Sequence, residues 1–244
     1  MKTYIIAEAA CTWLHAGLEG AAKSIKLAAS CGASAWKTQW TSDHVAMEAR
    51  RGAAPGAYQR LSWPAPHHAV FKALCDEAGI DYLCTVFLPK DACIIHPYIK
   101  RGKISAFESH DREMVQALYA HVKDIIISYN TNAPRGYGSG GFTSLYCVSK
   151  YPTPIEALGL SAMVSQGDER RYDGLSDHTT SVLTGAVAVG AGATILEKHV
   201  MTHDTPHDDP DYGHSLILDT QNKEFSFRQY VQNVRDAEKM MYGS

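Results

Sequence analysis

Two spacings of hydrophobic and polar positions alternate along this chain of 244 residues. Short apolar runs bounded by glycine, proline or polar residues predict β-strands, and apolar residues three and four positions apart predict helices. The predicted strands are Thr3–Ala9, Ala33–Trp40, Tyr82–Phe87, Lys103–Glu108, Ile125–Tyr129, Thr143–Ser149, a run that ends at Asp177 and His178, and Ala193–Leu196. The predicted helices are Gly17–Cys31, His67–Ala78, Pro89–Lys100, Asp111–His121, Pro154–Gln166, Thr180–Val189 and Asn222–Met241.

Eight strands, each except the fifth followed by a helical segment, predict an α/β fold in which a parallel sheet closes into a (β/α)8 TIM barrel. The length agrees, because such a barrel needs about 250 residues. We therefore expect residues 1–244 to form a single barrel domain. Asp111 is the expected N-cap of its helix, and Thr41–Pro66 is expected to form a loop over the barrel mouth.

The segment between the fifth and sixth strands, NTNAPRGYGSGG, contains five glycines or prolines. A crossover helix cannot be built from such a composition, so we expect the fifth helix to be missing. The outer faces of these two strands would then need another cover, such as a second copy of the chain in a homo-oligomer or a rearranged flanking helix.

Charge and cysteine content narrow the class of protein. A formal charge of −3, a pI near 6.4 and scattered basic residues argue against nucleic acid or an anionic membrane as a partner. No stretch approaches the roughly 18 apolar residues of a membrane span. The six cysteines form no CxxC pair, which favours reduced thiols and a cytoplasmic location.

Two histidines occupy matching positions at the ends of neighbouring predicted strands. His178 and His199 are 21 positions apart, the length of one βα repeat. Because parallel strands end at the same edge of a sheet, both imidazoles are expected at the carboxyl edge, where α/β barrels place their chemistry. Each is next to a carboxylate, Asp177 or Glu197, which indicates a metal site with supporting carboxylates. Either histidine alone is more simply explained as a hydrogen-bonded structural residue.

Lysines and hydroxyls also lie near the predicted strand ends. Lysines that point into a barrel mouth are costly unless an anion pairs with them, and hydroxyls with backbone N–H groups suit a phosphate or a carboxylate. Lys37 and Lys103 could instead pair internally with Glu8 and Glu108. The whole set favours an anionic ligand.

Several segments in succession resemble the motifs of the sialic acid synthases, a family that includes N-acetylneuraminate, pseudaminate and legionaminate synthases. These segments are IIAEA, GASAWKTQW, KISAFE, LYCVSKYPTP, GLSDHT, GATILEKHV and PDYGHSL. The family has a (β/α)8 barrel that condenses phosphoenolpyruvate with an aldehyde sugar, using a divalent metal such as Mn2+ or Mg2+. The resemblance implies the same transferase activity, substrates and metal for this chain.

The resemblance also implies residue roles. His178 and His199 would be the metal ligands. Contacts to phosphoenolpyruvate would come from Lys37, Thr85, Ser128 and Ser176 at its phosphate and from Lys103 and Ser149 at its carboxylate. Glu108 would act on the enolate side or orient the attacking water, and the acceptor sugar would face Tyr151, Glu8 and Asp211.

The chain also departs from the family pattern. The family carries a small carboxyl-terminal antifreeze-like domain, whereas this sequence ends at Ser244, so we expect the catalytic barrel alone. Ala106 stands where the family has a phosphate-binding serine. The alternatives are therefore another aldolase or lyase, working through a Schiff base on Lys37 or Lys103, or an inactive phosphoenolpyruvate-binding scaffold. We interpret the segment that carries the histidines His203, His207 and His214 as a solvated lid over the barrel mouth. The second interpretation is that these histidines are additional metal ligands.

Overall fold

The computed structural model describes residues 2–130, 142–163 and 172–243. Its strands are β1 (Tyr4–Ala10), β2 (Ala35–Trp40), β3 (Asp81–Val86), β4 (Gly102–Ile104), β5 (Ile125–Tyr129), β6 (Phe142–Cys147), β7 (Gly174–Asp177), β8 (Ile195–Met201) and β9 (Leu216–Ile217). Its α-helices are α1 (Gly17–Cys31), α2 (His44–Arg51), α3 (His67–Ala78), α4 (Ala92–Ile95), α5 (Arg112–His121), α6 (Thr184–Gly190) and α7 (Phe227–Tyr242).

Strands β1 to β8 form a closed parallel barrel. Each strand pairs with the next one along the chain, and β1 also pairs with β8. The short strand β9 adds a parallel pairing beside the end of β8. The predicted (β/α)8 barrel is confirmed.

Two apolar layers hold the barrel together, one inside the strands and one between the strands and the helices. The inner cluster consists of Ile6, Ala35, Leu83, Ile126, Leu145 and Ile195. Because successive side chains of a strand point to opposite faces, the residues two positions further along point into the barrel as well. Glu8, Lys37 and Thr85 follow the inner layer in this way, which brings polar groups to the carboxyl end of the barrel.

Local sequence rules account for several element boundaries. Helices α1 and α3 have the predicted bounds, and each ends at a glycine in the left-handed region, Gly32 at φ 92° and Gly79 at φ 72°. Asp111 is the N-cap of α5, because its Oδ1 accepts a hydrogen bond of 3.1 Å from Met114 N. The predicted cap is confirmed, and α5 contacts the strand that precedes it, β4.

The sequence predicted that the connection Thr41–Pro66 is a loop. The structure differs, because this connection contains helix α2. The side chain of Asp43 caps this helix by accepting a hydrogen bond of 2.9 Å from Ala46 N. Gly52, at φ 62°, ends it. The helix places Arg51, its last residue, at the barrel mouth.

Other predicted elements were too long. In place of the Pro154–Gln166 helix, the described residues form two short 3-10 turns, Ile155–Ala157 and Leu160–Met163. Gly159, at φ 54°, separates them, because this backbone conformation interrupts a helix. The predicted strand Lys103–Glu108 ends at Ile104. The expectation of a missing fifth helix falls on residues 131–141, outside the described residues.

The barrel is completed on the outside by α7, which packs against α6 and contacts α1. Close approach requires a glycine: an added Cβ on Gly185 would lie 2.5 Å from Tyr230 Cζ. None of the helices in the described part of the chain has the length and hydropathy that a bilayer span requires.

Candidate active site

A cavity of about 450 Å3 opens at the carboxyl ends of the barrel strands. Every predicted site residue except Glu108 lines it. These lining residues are Glu8, Lys37, Thr85, Lys103, Ser128, Ser149, Tyr151, Ser176, His178, His199 and Asp211. The structure thus brings together side chains that are spread over about 200 positions of the sequence, as the parallel strands predict.

Both lysines of the cavity are paired with carboxylates inside the barrel. Lys37 forms an ion pair with Glu8 and lies 3.7 Å from Glu197 Oε2, whereas Lys103 Nζ lies 3.6 Å from Glu197 Oε1. The predicted alternative partner of Lys103, Glu108, plays no part in this network. The lysines are therefore not bare cations, and an anionic ligand would share them with Glu8 and Glu197.

Hydroxyl groups complete the network. Lys37 Nζ donates to Thr85 Oγ1 at 2.9 Å, and Lys103 Nζ donates to Ser128 Oγ at 2.9 Å. Ser176 Oγ donates to Glu197 Oε1 at 2.9 Å. Each hydroxyl predicted to contact a phosphate thus already has a charged neighbour in the barrel.

The burial of these charges sets their pKa values. Burial, together with the neighbouring Lys103, lowers the pKa of Lys37 to about 8, although Glu197 opposes the shift. Burial alone would raise the pKa of Glu197, but the charges of Lys103 and Lys37 outweigh burial and lower it to about 2. Glu197 is therefore ionised at neutral pH, and together with Glu8 it balances the charges of the two lysines.

The two predicted metal ligands lie side by side, with 5.3 Å between the ring centroids of His178 and His199. His178 Nδ1 lies 2.9 Å from the carbonyl oxygen of Val148. Because a carbonyl only accepts, Nδ1 carries the proton and Nε2 is left as the basic nitrogen of the neutral ring. Burial, with the neighbouring His199, lowers the pKa of His178 to about 3, so the ring is neutral at pH 7. Neutral imidazole is the form that binds metals.

His199 has two further neighbours that come from the segment after β8. Its Nδ1 lies 3.3 Å from Asp211 Oδ1, and His214 Nε2 lies 3.2 Å from the same oxygen. Burial would raise the pKa of Asp211, but its contacts with His199 and His214 hold that pKa well below its usual range. The three side chains form one compact group at the cavity wall.

The predicted solvated lid is only partly correct. His203 is exposed, and its Nδ1 lies 2.6 Å from Asp219 Oδ2; His207 is exposed as well. His214 is only 3% exposed and lines the cavity, so it does not belong to a solvated segment. The difference arises because the 3-10 turn Tyr212–His214 returns the chain to the barrel mouth.

The prediction that Asp177 supports the metal site is wrong. Its carboxylate accepts hydrogen bonds from Lys198 Nζ at 2.9 Å and from Thr179 N at 2.9 Å, and also one from Thr184. Asp177 and Lys198, paired in register, are both fully buried. The Asp177–Lys198 pair therefore stabilises the outer face of the barrel and does not support the histidines.

Glu108 does not line the cavity. Its Oε1 accepts a hydrogen bond of 2.9 Å from Arg51 Nε and a second one from Arg51 Nη2, and Ser105 donates to its other oxygen. Arg51 and Ser105 themselves line the cavity. The catalytic role expected of Glu108 stays a prediction. Because its carboxylate is paired with Arg51, it would reach a ligand only if the Arg51 side chain moved away.

Sequence reasoning did not assign Arg51 or Phe107 to the cavity, and it named Glu197 and His214 only as a supporting carboxylate and as part of a lid or an extra ligand. Glu197 carries a usable signal, because it lies two positions before His199 on the same strand and so shares its face. Arg51 lay inside the supposed loop. Its guanidinium lies 4.4 Å from the ring centroid of Phe107, which is 67% exposed at the mouth.

Comparison with known proteins agrees with the resemblance found in the sequence motifs. Residues 24–244 match the NeuB family. The chain is 29% identical over 270 residues to a pseudaminic acid synthase of Campylobacter jejuni, covering 98% of this chain and 75% of that synthase. It is 30% identical over 191 residues to an N,N'-diacetyllegionaminic acid synthase of Legionella pneumophila, covering 71% of this chain and 51% of that one.

A solved structure agrees in fold. The crystal structure of an N-acetylneuraminic acid (sialic acid) synthetase from Leptospira borgpetersenii, in complex with citrate, superposes with a TM-score of 0.84 at 22% sequence identity. The match covers 99% of this chain and 86% of that one. At this identity the likeness establishes the barrel architecture.

Proposed function

This chain belongs to the NeuB family, and on that premise we propose that it condenses phosphoenolpyruvate with an aldehyde sugar to give a 2-keto-3-deoxy sugar acid and phosphate. The relatives are named as synthases of sialic-acid-type sugars, which supports an enzyme of carbohydrate biosynthesis acting on small molecules. The dependence on phosphoenolpyruvate and on a metal is part of the proposal.

The observation that carries the proposal is the composition of the mouth cavity. It places two buried lysines and their hydroxyl neighbours next to two buried histidines in one pocket. Ammonium and hydroxyl donors suit the phosphate and carboxylate of phosphoenolpyruvate. The neutral imidazoles suit a divalent ion that would sit beside the acceptor aldehyde.

The residues present fit a divalent metal. The Nδ1 atom of His178 is engaged by a backbone carbonyl, the arrangement that orients a ligating imidazole and leaves Nε2 for the ion. The Nδ1 atom of His199 is buried and makes no hydrogen bond within the described residues. His178 and His199 would hold the ion, and a bound ion would polarise the aldehyde oxygen of the acceptor.

Different side chains of the barrel would bind the phosphate and the carboxylate of phosphoenolpyruvate. Lys37, Thr85, Ser128 and Ser176 would hold the phosphate, and Lys103 with Ser149 would hold the carboxylate. This hold would keep C3 of phosphoenolpyruvate close to the acceptor carbon, which replaces an encounter in solution by a fixed geometry. Tyr151, Glu8 and Asp211 line the rest of the cavity, where the acceptor would lie.

The proposed reaction balances with one water. Phosphoenolpyruvate, the aldehyde and water give the 2-keto-3-deoxy acid and inorganic phosphate, with a new bond between C3 and the aldehyde carbon. The aldehyde oxygen takes up a proton to become a hydroxyl, and the phosphate leaves as an anion. Lys37 lies beside the proposed phosphate position and would stabilise that negative charge.

A Schiff-base aldolase is the second candidate. Its support is the lowered pKa of Lys37, about 8, which leaves more free amine at neutral pH than an exposed lysine has. In that reaction the Lys37 amine would add to a keto group and water would leave. Its ion pair with Glu8 opposes this use, because the carboxylate favours the protonated amine.

The discriminating experiment is a screen for phosphate release. Purified protein is incubated with phosphoenolpyruvate, Mn2+ or Mg2+, and a panel of aldoses that includes N-acetylated hexosamines. We expect phosphate release that requires both an aldose and a metal. The matched variants are Lys103→Met, which we expect to reduce release strongly at subsaturating phosphoenolpyruvate, and Lys26→Met on an exposed face of α1, which we expect to leave release unchanged.

The other outcomes identify the alternatives. Covalent trapping of a keto acid on Lys37 by borohydride, without phosphate release, would favour the aldolase. Binding of phosphoenolpyruvate without any turnover across the panel would favour the inactive scaffold.

A further inference from the structure

Three metal-binding side chains converge at one wall of the mouth cavity. His199 comes from β8, Asp211 precedes the 3-10 turn Tyr212–His214, and His214 is the last residue of that turn. One possible ligand atom from each lies within 4.8 Å of the others. Both histidine nitrogens approach the same carboxylate oxygen, at 3.3 and 3.2 Å.

These contacts do not satisfy the histidines. His199 Nδ1 and His214 Nε2 are both buried, and neither has a hydrogen-bond partner of normal geometry among residues 2–130, 142–163 and 172–243. The two residues are only 5% and 3% exposed. Two buried nitrogens without partners, both directed at one carboxylate, are uncommon in a folded protein unless an ion or a water lies between them.

We propose that Asp211 and His214 join His199 as ligands of the divalent ion of the proposed function, and that this ion is a transition metal. The inference rests on the proposed function, because it names further ligands and the metal class of the same cavity. His214 is the distinguishing ligand, since the His178–His199 pair does not include it. A bound ion would satisfy both orphaned nitrogens and the carboxylate at once.

The donor set determines the class of metal. Two imidazoles and one carboxylate suit Mn2+, Fe2+, Co2+ or Zn2+, because imidazole nitrogen binds first-row transition metals well. Mg2+ prefers oxygen ligands and keeps several waters. The site should therefore retain a transition metal in the presence of a large excess of Mg2+.

The surrounding charges agree with a site for a cation. Asp211 carries a negative charge at neutral pH, and Glu197 lies two positions before His199 on the same strand. Lys37 and Lys103 are already neutralised by Glu8 and Glu197. Arg60, which contacts this segment, is held by Asp209, to which it donates at 2.6 Å.

The competing account gives Asp211 a purely structural role, in which its carboxylate ties the two rings together without a metal. In that account, loss of His214 lowers stability but leaves the metal affinity unchanged. The two accounts therefore differ in a binding measurement that does not depend on turnover.

The test is metal titration of the full chain after treatment with a chelator. Mn2+ binding is followed by calorimetry and by the loss of the free-ion signal in electron paramagnetic resonance, and Co2+ binding by its ligand-field absorption. The variants are His214→Ala, His214→Gln and Asp211→Asn. The matched control is His207→Ala, an exposed histidine of the same segment. Circular dichroism establishes which variants are folded, and the glutamine variant serves if the alanine variant is not.

We expect one Mn2+ per wild-type chain. The His214 and Asp211 variants should bind Mn2+ at least roughly ten-fold more weakly, since even indirect partners of a ligand contribute that much. Their Co2+ spectra should change, and His207→Ala should match the wild type. Wild-type affinity and an unchanged Co2+ spectrum in a folded His214 variant would overturn the proposal, as would displacement of Mn2+ by equimolar Mg2+.

This result is independent of the proposed reaction. If no aldose supports phosphate release but the titrations behave as expected, the metal site stands and the condensation does not. If phosphate is released but His214→Ala binds Mn2+ like the wild type, the condensation stands and the proposed metal ligand His214 does not.

Discussion

The side-chain nitrogen of Lys103 lies 3.6 Å from Glu197 Oε1, deep in the barrel mouth. A lysine that the sequence assigns to anion binding therefore has a counter-ion before any ligand arrives. The interaction of an incoming anion with Lys103 is accordingly reduced by the nearby carboxylate. We therefore expect Glu197 to tune the affinity of the cavity for an anion.

Replacing Glu197 by glutamine should therefore strengthen anion binding. The Glu197→Gln variant removes one negative charge close to both Lys37 and Lys103 while keeping the shape of the side chain. We expect phosphoenolpyruvate to bind the chelator-treated variant at least roughly ten-fold more tightly, a gain of about 1.4 kcal/mol. Isothermal titration calorimetry measures the change.

The same variant should be less stable, because two buried lysines lose a counter-ion. Removing one partner of a buried ion pair costs about 3–5 kcal/mol, which urea denaturation would detect. Glu77→Gln, on an exposed position of α3, should change neither quantity. Weaker phosphoenolpyruvate binding in Glu197→Gln would show that the carboxylate contacts the ligand favourably and would refute this explanation.

Lys103→Met should weaken phosphoenolpyruvate binding. A hydrogen bond to a charged group contributes roughly 1.5–3 kcal/mol, which corresponds to a loss of about ten- to a hundred-fold in affinity. Lys26→Met removes the same charge from the surface and should leave the affinity within the error of the titration. Equal losses in both variants would mean that net charge, rather than a contact in the cavity, determines binding.

The packing of α6 on α7 depends on the absence of a side chain at position 185. A Cβ there would lie 2.6 Å from Tyr230 Oη and 2.8 Å from Val234 Cγ2. Gly185→Ala should lower the free energy of unfolding by about 1–3 kcal/mol through overpacking. Gly190, in the same helix, has nothing within 4 Å of an added Cβ, so Gly190→Ala should be neutral or slightly stabilising. Urea denaturation of both variants checks the contrast, and equal effects would contradict it.

A buried histidine away from the mouth should make the fold sensitive to acid. Burial, with the neighbouring His67, lowers the pKa of His68 from 6.5 to about 3. Between these values the unfolded chain binds a proton that the folded chain does not, so stability is lost as pH falls below about 6.5. From pH 7 to pH 5 this single group accounts for about 2 kcal/mol.

His68→Gln removes that contribution. The variant should lose less stability than the wild type between pH 7 and pH 5, whatever its stability at pH 7, as measured by urea denaturation of chelator-treated protein. The exposed His207→Gln should show the wild-type loss. An unchanged loss in His68→Gln would mean that the buried ring is protonated in the folded state.

Strand alternation explains how much of the barrel the sequence could predict. The strand Ile125–Tyr129 and the helices α1 and α3 were predicted with their observed bounds, because apolar periodicity and a terminal glycine define them locally. Helix α2 was missed because its stability depends on the cap at Asp43 and on packing of Met47 rather than on a long apolar stripe.

The site shows the same division between local and long-range information. That Lys37, Thr85 and His199 share one cavity follows from their positions at strand ends, which the sequence contains. That Glu197 lies near both lysines does not follow, since it depends on which side chains meet across the barrel. Asp177 was misassigned because neighbours in a strand point to opposite faces, so a carboxylate next to His178 faces away from it.

The most direct test of the proposed condensation follows the carbon atoms. Phosphoenolpyruvate labelled with 13C at all three carbons is incubated with the protein, Mn2+ and an aldose that supports phosphate release, and the products are analysed by mass spectrometry. The account predicts an acid that contains the intact aldose carbon chain together with all three labelled carbons, formed in equal amount with phosphate. Label found only in pyruvate or in unreacted phosphoenolpyruvate, with no labelled sugar acid for any aldose, would contradict it.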